Sequence, residues 1–205
     1  MIFVAEKGKY FYYCHMEDKK FNPENMDHLN DPDRLERLAP GKVMDFIKMK
    51  APEKIVDIGA GTAYITSALA RLMPGAKIEA FDIEPLMVEE MQRALPKSGN
   101  ITPHLMEENR LPLSDEYADL VWMINLYHEV RKPYLLLREV KRVLKPGGKL
   151  LIIDWAKNPE STEDGPPLDH RIDEATITSH LIEADFFNIK TTEEFPDHLG
   201  IIAQK

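Results

Sequence analysis

The sequence has almost no cysteine and no long apolar run, and each absence excludes a class of protein. Cys14 is the only cysteine among 205 residues, so no disulfide within the chain can stabilise the fold, and a reducing cytoplasm is expected. The opening apolar run, MIFVA, stops at charged residues. No stretch approaches the ~20 apolar residues of a membrane span. The sequence therefore predicts a cytoplasmic protein without a signal peptide and without stable membrane insertion.

The chain also lacks an excess of basic residues and a recognisable metal motif. Its net charge is −9 and its isoelectric point about 5.3, which argues against nucleic acid as a partner. Cys14 and His15, even with His28, match no common ligand spacing, so no metal is predicted. With 43% hydrophobic and 30% charged residues, the composition is that of one folded domain. A small-molecule ligand is the expected partner, for a monomer or a homodimer.

From residue 54 onward, short apolar runs alternate with helical patterns. In the first helical pattern, four apolar residues share one face: Ile65, Ala68, Leu69 and Leu72. Pro85 and Pro133 suit the first turns of two further helices, the second closed by residues 146–148. This alternation predicts an α/β fold with a doubly wound, Rossmann-like parallel sheet. The predicted strands of that part are 54–58, 77–83, 100–106, 118–124 and 149–154.

The two ends of the chain depart from the alternation. After a helix near 173–184, the strands 187–192 and 198–204 are separated only by EEFPD. This link is too short for a crossover helix, so an antiparallel pair is expected. Residues 1–39 predict a helical, aromatic extension before a domain over 40–205. The extension either packs on the flank of the domain or on a second subunit, folds over the site as a lid, or forms a membrane-contacting patch. Six of the 17 aromatic residues lie in the first 21, namely Phe3, Tyr10, Phe11, Tyr12, Tyr13 and Phe21.

The stretch VDIGAGTAYI, residues 56–65, predicts a glycine turn between a strand and a helix. A dinucleotide turn has a third glycine, but Tyr64 stands at that position. A phosphate loop has a Lys-Ser/Thr pair, and none follows Gly61. Backbone N–H groups and a helix N-terminus can still attract another negative group, such as a carboxylate. Asp82, 21 residues beyond Gly61 and at a predicted strand end, is placed to accept both hydroxyls of a ribose.

Four segments taken in order resemble the motifs of class I S-adenosylmethionine-dependent methyltransferases, in the branch that includes the ubiquinone and menaquinone C-methyltransferases. They are VDIGAGTA, FDIEP, MEENRLPLSDEYADLVWMINLYHEV and LKPGGKLLIIDW. Ala63 departs from the pattern, because a third glycine is common there. The resemblance covers residues 40–205 and implies S-adenosylmethionine as cofactor. It also implies the strand order 3-2-1-4-5-7-6 with the seventh strand antiparallel.

The same resemblance implies cofactor contacts at the ends of the predicted strands. Asp57 would contact the methionine ammonium group, Asp82 the ribose and Ile83 the adenine. Glu107 stands where the family usually has an aspartate that accepts from the adenine amino group. The full set of implied cofactor residues is Asp57, Gly59, Ala60, Gly61, Asp82, Ile83, Glu107, Glu108 and Asn125.

Methyl transfer needs alignment and a dry cleft, and it needs a base only if the acceptor must lose a proton. The candidate catalytic residues are His128, Asp154 and His170, with Tyr127 as a further candidate base. Arg171 is expected to form a surface salt bridge or to hold an acidic acceptor. The predicted function is methyl transfer to a small molecule. Two alternatives stay open: methylation of an isoprenoid quinone ring at the membrane surface, and cofactor binding without turnover.

Overall fold

The protein is described by a computed structural model over residues 20–158 and 165–205. Seven strands form one sheet of order β3-β2-β1-β4-β5-β7-β6. Strand β7 pairs antiparallel with β5 and with β6, while the other pairs are parallel. This confirms the predicted fold class and strand order. The strands are β1 Lys54–Ile58, β2 Lys77–Asp82, β3 Ile101–Leu105, β4 Ala118–Ile124, β5 Leu144–Trp155, β6 Phe187–Thr192 and β7 His198–Gln204.

Helices cover both faces of this sheet. Three of them begin at a proline, whose missing N–H is harmless in a first helical turn. The longest has 11 residues, and none in the described part of the chain is long and apolar enough to cross a membrane. The helices are α1 Asp33–Arg37, α2 Pro40–Ile47, α3 Tyr64–Ala70, α4 Pro85–Ala94, α5 Pro133–Val143 and α6 Glu174–Glu183, with 3₁₀ helices at Pro23–Asn30 and Tyr127–Glu129.

Two layers of apolar side chains hold the helices on the sheet. Side chains of β4 alternate between the layers, with Val121 and Met123 in the layer shared with α5 and α6, and Trp122 in the layer shared with α2 and α3. Because the parallel strands end at one edge, the loops after β1, β2, β4 and β5 meet there. Strand β7 begins at that edge, since it runs the other way. In open α/β sheets this edge is where ligands bind.

Two details of the predicted elements are wrong. Helix α3 ends at Ala70, and Leu72 lies beyond it with 51% of its surface exposed. Strand β5 begins at Leu144, where the sequence predicted a turn over residues 146–148. Residues 146–148 join the sheet because they are hydrogen-bonded to Lys205. The Gly147 N–H donates to the Lys205 carbonyl at 3.1 Å, and the Lys205 N–H donates to the Gly148 carbonyl at 3.0 Å.

Candidate functional site

A left-handed glycine turn follows β1 and leads into α3. Gly59 and Gly61 have φ of +72° and +56°, a region that side chains rarely adopt. A Cβ atom on Gly59 would come within 2.6 Å of the Leu126 side chain. The N–H groups of Gly59 and Ala60 both donate to the Phe81 carbonyl, at 2.8 and 3.0 Å. The turn therefore lies directly against the end of β2.

Asp82, the last residue of β2, connects this turn to the loop that follows. Its Oδ2 accepts from the Gly61 N–H at 2.9 Å, and its Oδ1 accepts from the Glu84 N–H at 2.9 Å. Burial raises the pKa of Asp82, and these backbone N–H groups only partly offset that effect. Each carboxylate oxygen can accept a second hydrogen bond. Asp82 can thus hold the turn and still accept from a ligand hydroxyl.

Asp57 in β1 is a buried carboxylate, with 4% of its surface exposed. Burial raises its pKa from 3.8 to about 6, although the Thr66 hydroxyl donates to its Oδ2 at 2.5 Å. Trp122 lies across from it on β4. The indole N–H is near enough to lower the pKa of Asp57, yet it makes no hydrogen bond of ordinary geometry within the described residues. A cationic ligand group at this position would stabilise the ionised carboxylate.

Asn125 comes directly after β4 and has a left-handed φ of +56°. Its N–H donates to the Ile153 carbonyl at 2.8 Å. Its side-chain oxygen is buried and has no hydrogen-bond partner in the part of the chain that the structure describes. A buried acceptor without a donor is destabilising. The site thus presents an acceptor that fits a ligand N–H or ammonium group.

His128 and Asp154 form a buried pair at the ends of β4 and β5. The His128 Nδ1 lies 2.7 Å from Asp154 Oδ1, and the His128 backbone N–H donates to Asp154 Oδ2 at 2.9 Å. The Trp155 N–H also donates to Oδ1, at 2.7 Å. Burial alone would raise the pKa of Asp154, but the charge and hydrogen bonds of His128 hold it below 3.8. Asp154 therefore fixes the orientation of the imidazole.

Glu129 stands beside this pair and meets the segment before α1. Its Oε1 lies 3.7 Å from the His128 Nε2. Burial raises the pKa of Glu129 to about 7, against the lowering effects of His128 and of a hydrogen bond from the Phe21 backbone. On the other side of the turn, Thr62 Oγ1 donates to Asn30 Oδ1 at 2.8 Å. The segment 21–30 therefore contacts both halves of the site.

Comparison with known proteins places this geometry in a family. The family model described as "Methyltransferase domain" matches residues 56–152. A crystal structure of a SAM dependent methyltransferase from Aquifex aeolicus is 31% identical, with a TM-score of 0.83 over 90% of this chain and 99% of that chain. The chain belongs to the S-adenosylmethionine-dependent methyltransferases. S-adenosylmethionine is the cofactor of this family.

Curated methyltransferases are similar over a shorter stretch. A demethylmenaquinone methyltransferase of Tropheryma whipplei (strain Twist) is 33% identical over 106 residues, which are 52% of this chain and 43% of that protein. The ubiquinone/menaquinone biosynthesis C-methyltransferase UbiE of Burkholderia multivorans is 30% identical over 106 residues, covering 51% and 44%. The matched region thus spans less than half the length of these relatives.

The methyltransferase fold brings most of the sequence-predicted cofactor residues to one edge of the sheet. Asp57, Asp82 and Asn125 lie around the glycine turn, as described above. Ile83 is half-buried and packs against the core. Glu107 and Glu108 follow β3 and are exposed. Their roles toward adenine stay predictions, because no side-chain contact of either within residues 20–158 and 165–205 bears on them.

The predicted catalytic residues separate into two groups. His128 and Asp154 meet directly. His170 is half-buried in the turn before α6, where its N–H donates to the Pro167 carbonyl at 2.9 Å. Tyr127 is fully buried, and its hydroxyl lies 3.2 Å from the His180 Nδ1 on α6. Tyr127 therefore points into the core between α5 and α6 rather than toward the glycine turn.

The expectation that Arg171 lies at the surface is wrong. Arg171 is buried, and its guanidinium donates to the Pro166 carbonyl at 2.9 Å and to the Ala156 carbonyl at 3.1 Å. It also lies 5.4 Å from the ring centre of Trp155. These bonds join Ala156, directly after β5, to Pro166 in the segment before α6.

Sequence reasoning missed His198, at the start of β7. Its ring packs against that of Trp155 in a tilted arrangement, with centres 4.3 Å apart, and within the described residues neither ring nitrogen has a hydrogen-bond partner. Burial lowers the pKa of His198 to about 4, so the imidazole is neutral at pH 7. One signal was available: an antiparallel strand over 198–204 must begin at the edge where the parallel strands end.

Across residues 20–158 and 165–205, no cluster of three or more His, Cys, Asp or Glu could hold a metal ion.

Proposed function

We propose that this protein transfers a methyl group from S-adenosylmethionine to a small-molecule acceptor and releases S-adenosylhomocysteine. The observation that carries the proposal is the polar set around the glycine turn. It consists of buried carboxylates at Asp57 and Asp82 and of the Asn125 side-chain oxygen, which has no hydrogen-bond donor among the described residues. The cofactor carries a cationic ammonium group and two ribose hydroxyls, and these are donors of the kind that such acceptors can bind. Similarity to the Aquifex methyltransferase along almost its whole length supports the same conclusion.

Within this proposal each polar residue has a distinct role. Asp57 accepts from the methionine ammonium group, and Asn125 lines the same arm. Asp82 accepts from the ribose hydroxyls through the lone pairs that Gly61 and Glu84 leave available. Ile83 packs on the adenine, and Glu107 or Glu108 accepts from its amino group. Gly59, Ala60 and Gly61 form the turn against which the cofactor lies.

The bound cofactor supplies an already activated methyl group. The protein then has to align the acceptor and exclude water. If the acceptor must lose a proton, His128 is the proposed base. Asp154 orients the ring through Nδ1, and Nε2, which lies 3.7 Å from Glu129 Oε1, is the proposed proton acceptor. A neutral nucleophile whose proton leaves after transfer would not need His128.

The segment 20–30 is proposed as a cap over the cofactor, as part of the N-terminal extension 1–39. Three contacts support this: the Phe21 backbone on Glu129, Asn30 on Thr62, and Leu29 within 3.0 Å of the position of a Cβ on Gly61. Five of the six N-terminal aromatic residues lie outside the described residues. A cap would exclude water, which the open edge of a sheet cannot do by itself.

Calorimetry with S-adenosylhomocysteine, NAD and ATP tests the cofactor part of the proposal. We expect binding of S-adenosylhomocysteine alone, because the turn lacks the third glycine of dinucleotide sites and the lysine of phosphate loops. A preference for NAD or ATP would refute it. Incubation with methyl-labelled cofactor and a metabolite extract then identifies the acceptor as the compound that gains label. Cofactor binding without any labelled product would instead support a binding protein without turnover.

A second candidate function is methylation of an isoprenoid quinone ring. The observation that favours it is the similarity to the demethylmenaquinone methyltransferase of T. whipplei and to UbiE of B. multivorans. The test is turnover with demethylmenaquinone in detergent micelles, compared with water-soluble phenols. Transfer to the phenols alone would exclude the quinone.

A further inference from the structure

Three residues in the part of the chain that the structure describes have buried side-chain nitrogen or oxygen atoms without a hydrogen-bond partner. They are Trp122, Asn125 and His198. Such atoms are uncommon in proteins, because burying a polar group without a partner is destabilising. Trp122 and Asn125 lie beside the position proposed for the methionine arm of the cofactor. His198 has two such atoms, Nδ1 and Nε2, and it is not among the proposed cofactor contacts.

The packing of His198 does not require an imidazole. The residue is 3% exposed, and its ring lies against that of Trp155. A phenylalanine would fill a similar space without burying two nitrogen atoms that lack partners. The hydrogen-bonding capacity of the ring is therefore available for a ligand.

The ends of β5 and β7 project beyond the end of β4. Ile153 is the last residue of β5 that pairs with β4, where its partner is Ile124. Trp155 lies two residues farther along β5, and its partner is His198 on β7. The two strands thus form a wall beside the loop that follows β4 and carries His128.

His198 lies on the same face of the sheet as Asp57. Side chains alternate along a strand, and Ile202, four residues after His198, belongs to the apolar layer shared with α2 and α3. The Asp57 carboxylate is on this face too, because it accepts from Thr66 of α3. Neighbouring strands lie about 4.8 Å apart, so β7 is about 10 Å from β4 across β5. A small acceptor can span that distance from the proposed methionine arm to His198.

The state of the His198 ring favours an uncharged polar ligand group. The imidazole is neutral at pH 7, because burial lowers its pKa to about 4 against the opposing charges of Asp154 and Asp197. Arg34 and Arg37 lower the pKa further. A neutral imidazole has one nitrogen that donates and one that accepts. A hydroxyl group can be partner to either nitrogen, whereas a carboxylate only accepts and an ammonium group only donates.

We propose that His198 binds the methyl acceptor by a hydrogen bond to an uncharged hydroxyl group of that molecule. The acceptor is then a phenol or an alcohol, held on the β7 side of the site, while His128 lies on the β4 side. Trp155 positions the His198 ring by packing against it. This inference rests on the proposed methyl transfer and adds the chemical class of the acceptor.

Nuclear magnetic resonance of the full chain saturated with S-adenosylhomocysteine tests the inference. Phenol and toluene are the probes, because they differ by a hydroxyl in place of a methyl group. In protein labelled with 15N-histidine, both ring nitrogens of His198 should show no hydrogen bond before a probe is added. Phenol should shift at least one of these signals, and toluene should shift neither in the same way. The signals are identified by their absence in His198→Phe or His198→Gln.

The two variants separate hydrogen bonding from packing. His198→Phe should weaken phenol binding by about two- to tenfold, the range for one neutral hydrogen bond, and should leave toluene binding within about twofold. His198→Gln keeps a donor and an acceptor and should lose less of the phenol affinity. Both variants should bind S-adenosylhomocysteine as the native chain does. The thermal midpoint of each variant shows whether it is folded, and the probe shifts of the native chain do not depend on it.

Three results would overturn the inference: no response of the His198 signals to phenol, ring nitrogens that are already hydrogen-bonded before phenol is added, or equal losses of phenol and toluene affinity in His198→Phe. Each of these would leave the proposed methyl transfer intact, provided that the native chain binds S-adenosylhomocysteine. Absence of that binding would instead refute the methyl transfer, and the inference with it.

Discussion

Two carboxylates are buried at the same edge of the sheet, yet their pKa values are shifted in opposite directions. Asp57 lies in the half of the site formed by the glycine turn, and its pKa is raised to about 6. Asp154 lies in the half formed by β4 and β5, and its pKa is lowered. The difference lies in their partners. Asp154 accepts from two backbone N–H groups and faces the His128 ring, whereas Asp57 has one hydroxyl donor, Thr66.

Asp154 has its charged and hydrogen-bonding partners within the chain, whereas Asp57 lacks a positively charged partner among the described residues. Burial of a charge is unfavourable unless the charge is paired and hydrogen-bonded. The buried charge of Asp57 therefore lowers the folding stability, and a cationic ligand can offset this loss. The other half is stabilised by its own ion pair. The predictions below test this division.

Replacement of Asp154 by alanine should have the largest effect on stability. The change leaves His128 buried without its partner, and breaking a buried pair costs about 3–5 kcal/mol. The pKa of Asp154 is lowered in the folded chain. The ionised carboxylate therefore contributes its full share of the folding stability above pH 3.8, and this share is lost as pH falls through the folded pKa. Urea unfolding at pH 7 measures the loss, with Asp45→Ala on the exposed side of α2 as control. An unchanged midpoint would mean that the pair does not stabilise the fold.

Replacement of Asp57 by asparagine should change stability in the opposite direction. The folded pKa of Asp57 is about 6 and lies above the ordinary value of 3.8. The stability contributed by the protonated carboxyl is therefore complete below pH 3.8 and is lost as pH rises through 6. Asparagine avoids this loss, so the free energy of unfolding at pH 8 should increase by on the order of 2–3 kcal/mol. The gain should nearly vanish at pH 4. Asp45→Asn, on the exposed side of α2, is the control.

The same Asp57 variant should lose cofactor affinity while it gains stability. In the native protein, the affinity for S-adenosylhomocysteine should rise between pH 5 and pH 7 as Asp57 ionises, and the variant should lack that rise. Calorimetry across this range measures it. A variant that binds as well as the native chain would show that the ammonium group lies elsewhere.

Replacement of Asp82 by alanine should weaken binding of S-adenosylhomocysteine by roughly 1.5–3 kcal/mol, the range for hydrogen bonds to an ionised group. The structure adds a second consequence. Asp82 also accepts from the Gly61 and Glu84 N–H groups, so unfolding should become easier as well. Asp82→Asn keeps acceptor capacity on one oxygen and should lose less in both measurements. Equal affinity in all three proteins would exclude Asp82 from the ribose site.

The sequence predicted the features that depend on order along the chain. The position of Asp82 follows from its distance to Gly61 and from the end of a buried strand, and the antiparallel β7 follows from a link too short for a helix. The strand order was predicted as well, because four motifs in the same order resemble one family and that resemblance implies the order 3-2-1-4-5-7-6. These features are local or are shared by the family.

The features that it could not predict depend on packing between distant segments. Arg171 is buried, and its guanidinium donates to the carbonyls of Pro166 and of Ala156, 15 residues away in the chain; no pattern near residue 171 encodes that second contact. Leu72 fits the helical spacing but lies past the end of α3 at Ala70. Likewise, the contact of Phe21 with Glu129 joins segments far apart in sequence. The shifted pKa values of Asp57 and Asp154 also depend on burial, which the sequence does not supply.

The smallest expected effect concerns the contact between the cap segment and the glycine turn. Asn30→Ala removes the acceptor of the Thr62 hydroxyl, a single partly buried hydrogen bond that contributes about 0.5–1.5 kcal/mol. If the segment 20–30 covers the cofactor, part of that free energy should appear as a two- to fivefold loss of affinity for S-adenosylhomocysteine. Asp27→Ala, an exposed change in the same 3₁₀ helix, is the control and should bind as the native chain does. Faster dissociation in stopped-flow measurements should accompany the loss, since a cap slows release of the ligand. A change in unfolding free energy without any change in affinity or dissociation rate would make the segment structural, and the two halves of the site would then bind cofactor without a cover.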